Sequence, residues 1–367
     1  MTIILKILNN VPKQGIIPRL VPTQQLLSIC QSITGQHAFH HSTPENGNKK
    51  LRIMFFGTDQ FAVESLQRIH QEYTSGTGCV SGLEVTCLNT RSLVPAVSKF
   101  AQQNNLNIHL WPPDTGHIRQ NFDLGVVASF GKLIPGKIIE SFPLGIINVH
   151  GSLLPRWRGA APVIHALKHG DQVTGITIMR VKPHKFDVGE MLAAESVEID
   201  EDIRRPELTE KLATIGAELL VKVIQNYPKY SQEAVIQNNG EVTLAPMVTN
   251  EIAHIDWTQM TNIEIYNLWR AVGDFTKLRT SYQETGAEVR LATVISPRKL
   301  EGAPLDPNAA PGTIQYIRRS KKDKFVCVKC REGWLAVSDI YYQNKKVMKP
   351  IDFYNGMLSR PGQHKFN

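Results

Sequence analysis

From residue 51 to residue 149 the chain alternates short apolar runs with stretches of helical periodicity, and no other feature restricts its fold as strongly. The runs Leu51-Arg-Ile-Met-Phe-Phe56, 83–88, 108–110, Leu124-Gly-Val-Val-Ala128 and Leu144-Gly-Ile-Ile147 are strand-length and nearly all apolar, as expected of strands buried on both faces. Between the first two, residues 61–73 bring Phe61, Val63, Leu66 and Ile69 to one helical side, and residues 94–103 form the next helix. Helices between strands supply the crossovers that parallel pairing needs, so the alternation predicts an α/β fold with a doubly wound parallel sheet. Residues 163–168 and 208–224 read as further helices, and 174–179 and 192–199 as further strands. Gly57-Thr58-Asp59 follows the first strand with a single glycine where a dinucleotide-binding fold carries three, which disfavours a nicotinamide dinucleotide.

Ligands of open α/β sheets bind beyond the carboxyl ends of the strands. At the end of the fifth run stands Asn148-Val-His150-Gly-Ser152-Leu153-Leu154-Pro155-Arg156-Trp157-Arg158-Gly-Ala-Ala-Pro162. Asn148 and His150 are two apart and project to one side of a strand. A carboxamide donor beside an imidazole suits an oxygen on which negative charge develops. A second candidate, Asp187, lies in Phe186-Asp187-Val-Gly189-Glu190-Met191-Leu192, where the glycine two residues on marks a tight loop that turns the carboxylate back to the sheet rim. Taken singly each feature is ordinary, because Asn ends strands through turn chemistry and Asp-x-Gly is a common turn.

Taken together the two motifs resemble the 10-formyltetrahydrofolate-dependent formyltransferase family. The resemblance implies acyl transfer to an amine, with 10-formyltetrahydrofolate as formyl donor and co-substrate and with no metal; no ligand spacing along the chain points to one either. By the same resemblance Asn148, His150 and Asp187 are the catalytic residues: Asn148 and His150 face the formyl oxygen, and Asp187 orients the ring and accepts the amine's proton. Ser152, Leu153, Leu154 and Pro155 are implied to shape the folate pocket, together with Phe130 and Gly131 in the loop after the strand ending at Ala128. By resemblance again, the segment Arg156–Pro162 implies initiator methionyl-tRNA as the acceptor.

The composition shifts after Tyr227, where Pro-Lys-Tyr-Ser-Gln and Gln237-Asn-Asn-Gly240 read as a linker. A helix at 263–271 and short strands at 288–295, 312–317, 325–328 and 334–337 follow, and close spacing of short strands predicts a small barrel; the family resemblance makes it OB-like. From Thr249 onward there are 18 Lys and Arg against 12 Asp and Glu, which accounts for six of the eight net positive charges. Arg318, Arg319, Lys321, Lys322 and Lys324 form the densest cluster, a solvated face in one reading and an RNA phosphate-binding surface in the other.

Residues 1–44 carry Lys6, Lys13 and Arg19 and no acid, a composition that predicts a mitochondrial targeting segment and a matrix location. The expected organisation is therefore a transit segment at 1–49, a catalytic domain with linker at 50–245 and a basic barrel at 246–367. No apolar run reaches the roughly 18 residues that a membrane span needs. Five scattered cysteines give no disulfide framework, and Cys327-Val-Lys-Cys330 reads as two inert thiols in a strand. No membrane or DNA partner is expected, and the chain is expected to be a monomer. Two alternatives stay open: another formyl-folate enzyme, acting on a nucleotide sugar or glycinamide ribonucleotide or hydrolysing the folate, and a non-catalytic RNA-binding protein on the same scaffold.

Overall fold

The computed structural model describes residues 50–88, 94–320, 323–343, 346–362 and 364–367. The expected targeting segment, together with Lys321 and Lys322, lies outside the described residues. The first half runs β1 (Leu51–Gly57), α1 (Gln60–Thr74), β2 (Val80–Cys87), α2 (Ala96–Gln103), β3 (Ile108–Leu110), α3 (Thr115–Asn121), β4 (Leu124–Ala128), α4 (Gly136–Ile139) and β5 (Ile146–His150). These strands are parallel in the order β3-β2-β1-β4-β5. β1 is apolar nearly throughout because both its faces are covered. Ile53 and Phe55 join one core with Leu66 and Ile69 of α1, and Met54 and Phe56 join the other with Ile118 and Ile138. Asp59 starts α1 by accepting the Ala62 amide at 3.1 Å.

The sheet is not parallel to its end. After α5 (Pro162–Lys168), strands β6 (Val173–Arg180) and β7 (Met191–Glu198) are added antiparallel, giving seven strands in the order β3-β2-β1-β4-β5-β6-β7. The β6–β7 connection holds no helix, so the chain turns straight back, as an antiparallel pair permits. α6 (Arg205–Gln225) covers the first core and comes so close that a Cβ on Gly216 would stand 3.0 Å from Val149 of β5. α7 (Tyr227–Gln232) follows it.

The C-terminal part contains α8 (Asn262–Val272), β8 (Leu278–Tyr282), β9 (Ala287–Ile295), β10 (Ile314–Arg318), β11 (Lys324–Lys329), β12 (Trp334–Tyr342) and α9 (Pro350–Phe353). Thr261 and Glu264 start α8 with a reciprocal capping box. The five strands are antiparallel in the order β10-β11-β12-β9-β8. The outer strands are joined through the last residues of the chain. His364 O accepts from Ile314 N at 3.0 Å and Phe366 N donates to Gly312 O at 2.9 Å on one side, while Lys365 O accepts from Gln283 N at 2.9 Å on the other. Phe366 fills the space under this closure, 4% exposed, with its ring about 6 Å from those of Trp257, Tyr282 and Phe353. Truncating a buried Phe costs about 3 kcal/mol or more. Phe366→Ala is therefore expected to lower unfolding stability by that amount at unchanged denaturant slope, and a loss under about 1 kcal/mol would show that the closure is not packed through this ring.

Candidate active site

Position in the sheet selects the polar residues at the end of β5. Ile147 and Val149 point into the core beneath α6, and Ile146 points into the opposite one, so Asn148 and His150 project from the same face as Ile146. The loop that follows is held from beneath by Thr177 of β6, directly opposite His150, whose hydroxyl donates to Ser152 O at 2.7 Å and accepts from Leu154 N at 3.1 Å. Asn148 is half-buried, and its carboxamide makes no hydrogen bond among the described residues. His150 is 5% exposed. Its Nε2 lies 2.9 Å from Trp157 O, and since a carbonyl only accepts, that nitrogen carries a proton. Nδ1 faces Asp187 Oδ1 at 3.7 Å, too far for a hydrogen bond, so both atoms keep a valence for a third group.

Asp187 reaches the strand end because its loop is forced round. Its own φ is +54°, in the left-handed region that most L-residues avoid and Asp tolerates better than most, and a Cβ on Gly189 would overlap Arg180 O. Asp187 Oδ2 accepts from Gly159 N at 2.9 Å, which ties the acid to the tail of the β5 motif. The expected linker takes part in the same construction. Gln237, 4% exposed, donates from Nε2 to Asp187 O at 3.0 Å and to Gly189 O at 2.7 Å, and accepts from Arg158 Nε at 2.9 Å. Beyond it, Arg158 N donates to Thr243 O at 2.9 Å and Ala245 N to Arg158 O at 2.7 Å. This stretch is thus not a free tether: a 3-10 turn at Asn239–Glu241 leads into residues 243–245, which pair along the motif. Its Gln, Asn and Gly residues carry no apolar pattern by which to see it. The half-buried Arg158 guanidinium has its pKa lowered by desolvation, which the Asp187 charge opposes.

The other residues expected around the folate fall into two groups. Ser152 is fully buried and its hydroxyl donates to Arg156 O at 2.6 Å, so it shapes the loop. Leu153 and Pro155 are half-buried and Leu154 is nearly buried. Phe130 instead packs edge-on against Phe56 and Trp111 at 5.6 and 5.1 Å between ring centres, so its side chain belongs to the core. Gly131 beside it is exposed at φ +71°. In the motif's tail, Trp157 is buried and donates to Asp171 Oδ2 at 2.7 Å, and Arg156 pairs with the same carboxylate.

Of the basic cluster, Arg318 ends β10 and stands opposite Lys324, the first residue of β11. Arg318 is exposed, whereas Arg319 donates to Lys299 O and Glu301 O and so serves to hold that loop. Cys327 in β11 and Cys330, just past its end and not in the strand as expected, are buried, free thiols, and burial pushes their pKa values up to about 12. Among the described residues no helix is long and apolar enough to cross a membrane.

Residues 51–224 match the formyl transferase family model, and residues 247–358 match that of the formyl transferase C-terminal domain. The chain is 37% identical over 316 residues to the mitochondrial methionyl-tRNA formyltransferase of Homo sapiens, covering 84% of this chain and 78% of that one. Among solved structures, the N-formyltransferase of Helicobacter canadensis in complex with folinic acid and dTDP-3-aminofucose superposes with a TM-score of 0.57 at 16% identity, covering 79% of this chain and 100% of that one. HypX from Aquifex aeolicus in complex with tetrahydrofolic acid superposes with a TM-score of 0.52 at 15% identity, covering 86% of this chain, which spans about half (51%) of HypX. These two structures share the fold. With both family domains matched in order and a relative at this identity along most of its length, the chain belongs to the formyl transferase family.

Proposed function

We propose that this protein transfers the formyl group of 10-formyltetrahydrofolate to the α-amino group of methionyl-tRNA in the mitochondrial matrix. The observation that carries the reading is the meeting of Asn148, His150 and Asp187 at the end of β5 in a chain 37% identical to a mitochondrial methionyl-tRNA formyltransferase. HypX in complex with tetrahydrofolic acid and the Helicobacter enzyme in complex with folinic acid support a folate-type donor. The catalytic domain in this reading ends near residue 245 and the barrel carries the tRNA.

The neutral amine attacks the formyl carbon, and the carbonyl oxygen gains negative charge. Asn148, whose carboxamide no described residue engages, donates its amide hydrogen there. His150 Nε2 is occupied by Trp157 O, so the ring acts through Nδ1, across the 3.7 Å gap to Asp187 Oδ1. Asp187 Oδ1 accepts the proton that the amine loses as its new bond to carbon forms. The bond from that carbon to N10 then breaks, N10 takes the proton held on Asp187, and tetrahydrofolate leaves. Ser152, Leu153, Leu154, Pro155 and Gly131 line the donor's pocket in this scheme, with Phe130 supporting it from the core.

Incubation with 10-formyltetrahydrofolate and separately charged tRNAs is expected to formylate methionyl-tRNA only. Asn148→Ala, His150→Ala and Asp187→Ala are each expected to lower turnover at least about 100-fold, the usual cost of losing an oxyanion donor or a positioned general base. Formylation of an amino sugar in place of charged tRNA, or near-normal turnover in all three variants, would overturn the assignment.

Gln237 acts through Asp187 and is a positioning residue. Gln237→Leu keeps the bulk but strips two donors from the acid's loop, and displacing a reacting group by about 1 Å costs up to about 100-fold. A fall in kcat of roughly 10- to 100-fold with little change in KM for either substrate is expected. An unchanged kcat would show that the loop holds its shape without it.

The basic run of Arg318, Arg319, Lys321, Lys322 and Lys324 is read as a phosphate-binding surface, with Arg319 also holding the neighbouring loop. Charge reversal at Lys321 and Lys322 is expected to raise KM for tRNA and to reduce its log-log salt slope by about one for each phosphate no longer neutralised, leaving KM for the folate unchanged. Superimposable salt curves for wild type and variant would return these lysines to the role of a solvated face.

A further inference from the structure

At the opposite end of the seven-stranded sheet, three side chains from separate elements converge. Glu84 comes from β2, His109 from the edge strand β3 and His117 from α3, and one candidate ligand atom from each lies within 4.8 Å of the other two. Glu84 Oε2 is 2.5 Å from His109 Nε2 and 3.2 Å from His117 Nε2, and the two rings are 4.9 Å apart between centres. None of the three is buried: the side chains are 21%, 26% and 36% exposed in chain order. Strands β1 and β4 separate this group from β5, so the proposed transfer makes no use of it.

We propose that Glu84, His109 and His117 bind one divalent transition-metal ion of the zinc type, clasping β2, β3 and α3 together. Two imidazoles and a carboxylate suit zinc better than magnesium or calcium, which favour oxygen ligands throughout. Ligands about 2.1 Å from a tetrahedral ion stand roughly 3.4 Å from one another. The observed Glu84–histidine separations, 2.5 and 3.2 Å, are shorter than that value, so the carboxylate must move away from the rings to admit an ion. Three protein ligands with partial exposure leave the fourth position to water.

One outer partner is already in place and a second needs only to turn. Asn107 Nδ2 donates to Glu84 Oε1 at 3.0 Å, which steadies the carboxylate. Asn121 Nδ2 lies 3.0 Å from His117 Nδ1 and 2.9 Å from His117 O. Metal on Nε2 requires a proton on Nδ1, so the Asn121 carboxamide must turn its oxygen toward the ring and give up its bond to the backbone. The clasp has a structural reason as well, for β3 is a three-residue edge strand and α3 has seven residues. Elements this short hold few hydrogen bonds of their own, and edge strands are otherwise open to unwanted pairing. The wide spacing of Glu84, His109 and His117 along the chain matches no metal motif, which is why the sequence alone points to none.

The test is a zinc titration of the chelator-stripped, tag-free chain by calorimetry, with thermal unfolding at each metal level. Wild type is expected to take up one equivalent and to melt at a higher temperature when loaded. His109→Ala, His117→Ala and Glu84→Gln are each expected to weaken uptake at least about tenfold, while the exposed-histidine control His184→Ala leaves it unchanged. Equal uptake by wild type and the three cluster variants, or no uptake by wild type, would overturn the proposal. Should those variants fail to fold, cobalt(II) added to wild type decides the matter: intense tetrahedral ligand-field bands at one equivalent support the site, and a spectrum like that of the aqueous ion refutes it.

Discussion

The buried carboxamide of Gln237 is the interaction on which the site's construction rests. Its amide nitrogen and its oxygen are all used, binding the loop of Asp187 to Arg158 in the β5 motif. A buried amide is costly unless satisfied, so one fully satisfied between two segments holds them in a single arrangement. The conformation of Asp187, at φ +54°, is maintained by such contacts, because its backbone does not favour it.

Around this point the sheet divides its labour between its two faces. One face is sealed by α1 and α6 into a large apolar core, against which Ile147 and Val149 are fixed. The other carries the smaller cluster of Met54, Phe56, Ile118 and Phe130, and on this face Asn148 and His150 stand. A close-packed interior deforms little. The polar groups at the strand end therefore inherit the rigidity of the layer beneath them, and the loop at 151–155 is further pinned by Thr177. Polar atoms are committed sparingly: of the site's groups, His150 Nε2, Asp187 Oδ2 and the Ser152 hydroxyl are bound internally, leaving Asn148 and the pair Nδ1 and Oδ1 for chemistry.

The C-terminal sheet solves a different problem, that of its edges. β8 and β10 are not paired with one another but with residues 364–367, which lie between them. Phe366 brings apolar packing to a segment whose backbone bonds alone would not hold it.

Much of this is written in local pattern. The continuous apolar runs of β1 and β4 and the helical spacing in α1 require burial on both sides of a strand and on one side of a helix, whatever the tertiary detail. The two-residue separation of Asn148 and His150 places them on one face for the same reason. β8 is not legible in the sequence because Arg279, Thr280 and Ser281 dilute its apolar positions, although Leu278 and Tyr282 are fully buried once it pairs with β9. Phe130 reads as a ligand-pocket residue although it is a core residue, since adjacency to a glycine-containing rim loop does not tell which way a ring turns. What only the tertiary structure decided are contacts between residues distant in the chain: the antiparallel return of β6 and β7, the pairing of the segment at 243–245 along the motif, and the convergence of Glu84, His109 and His117. Periodicity reports what a residue's immediate neighbours demand, whereas these arrangements are set by which polar groups must find partners after the cores have closed.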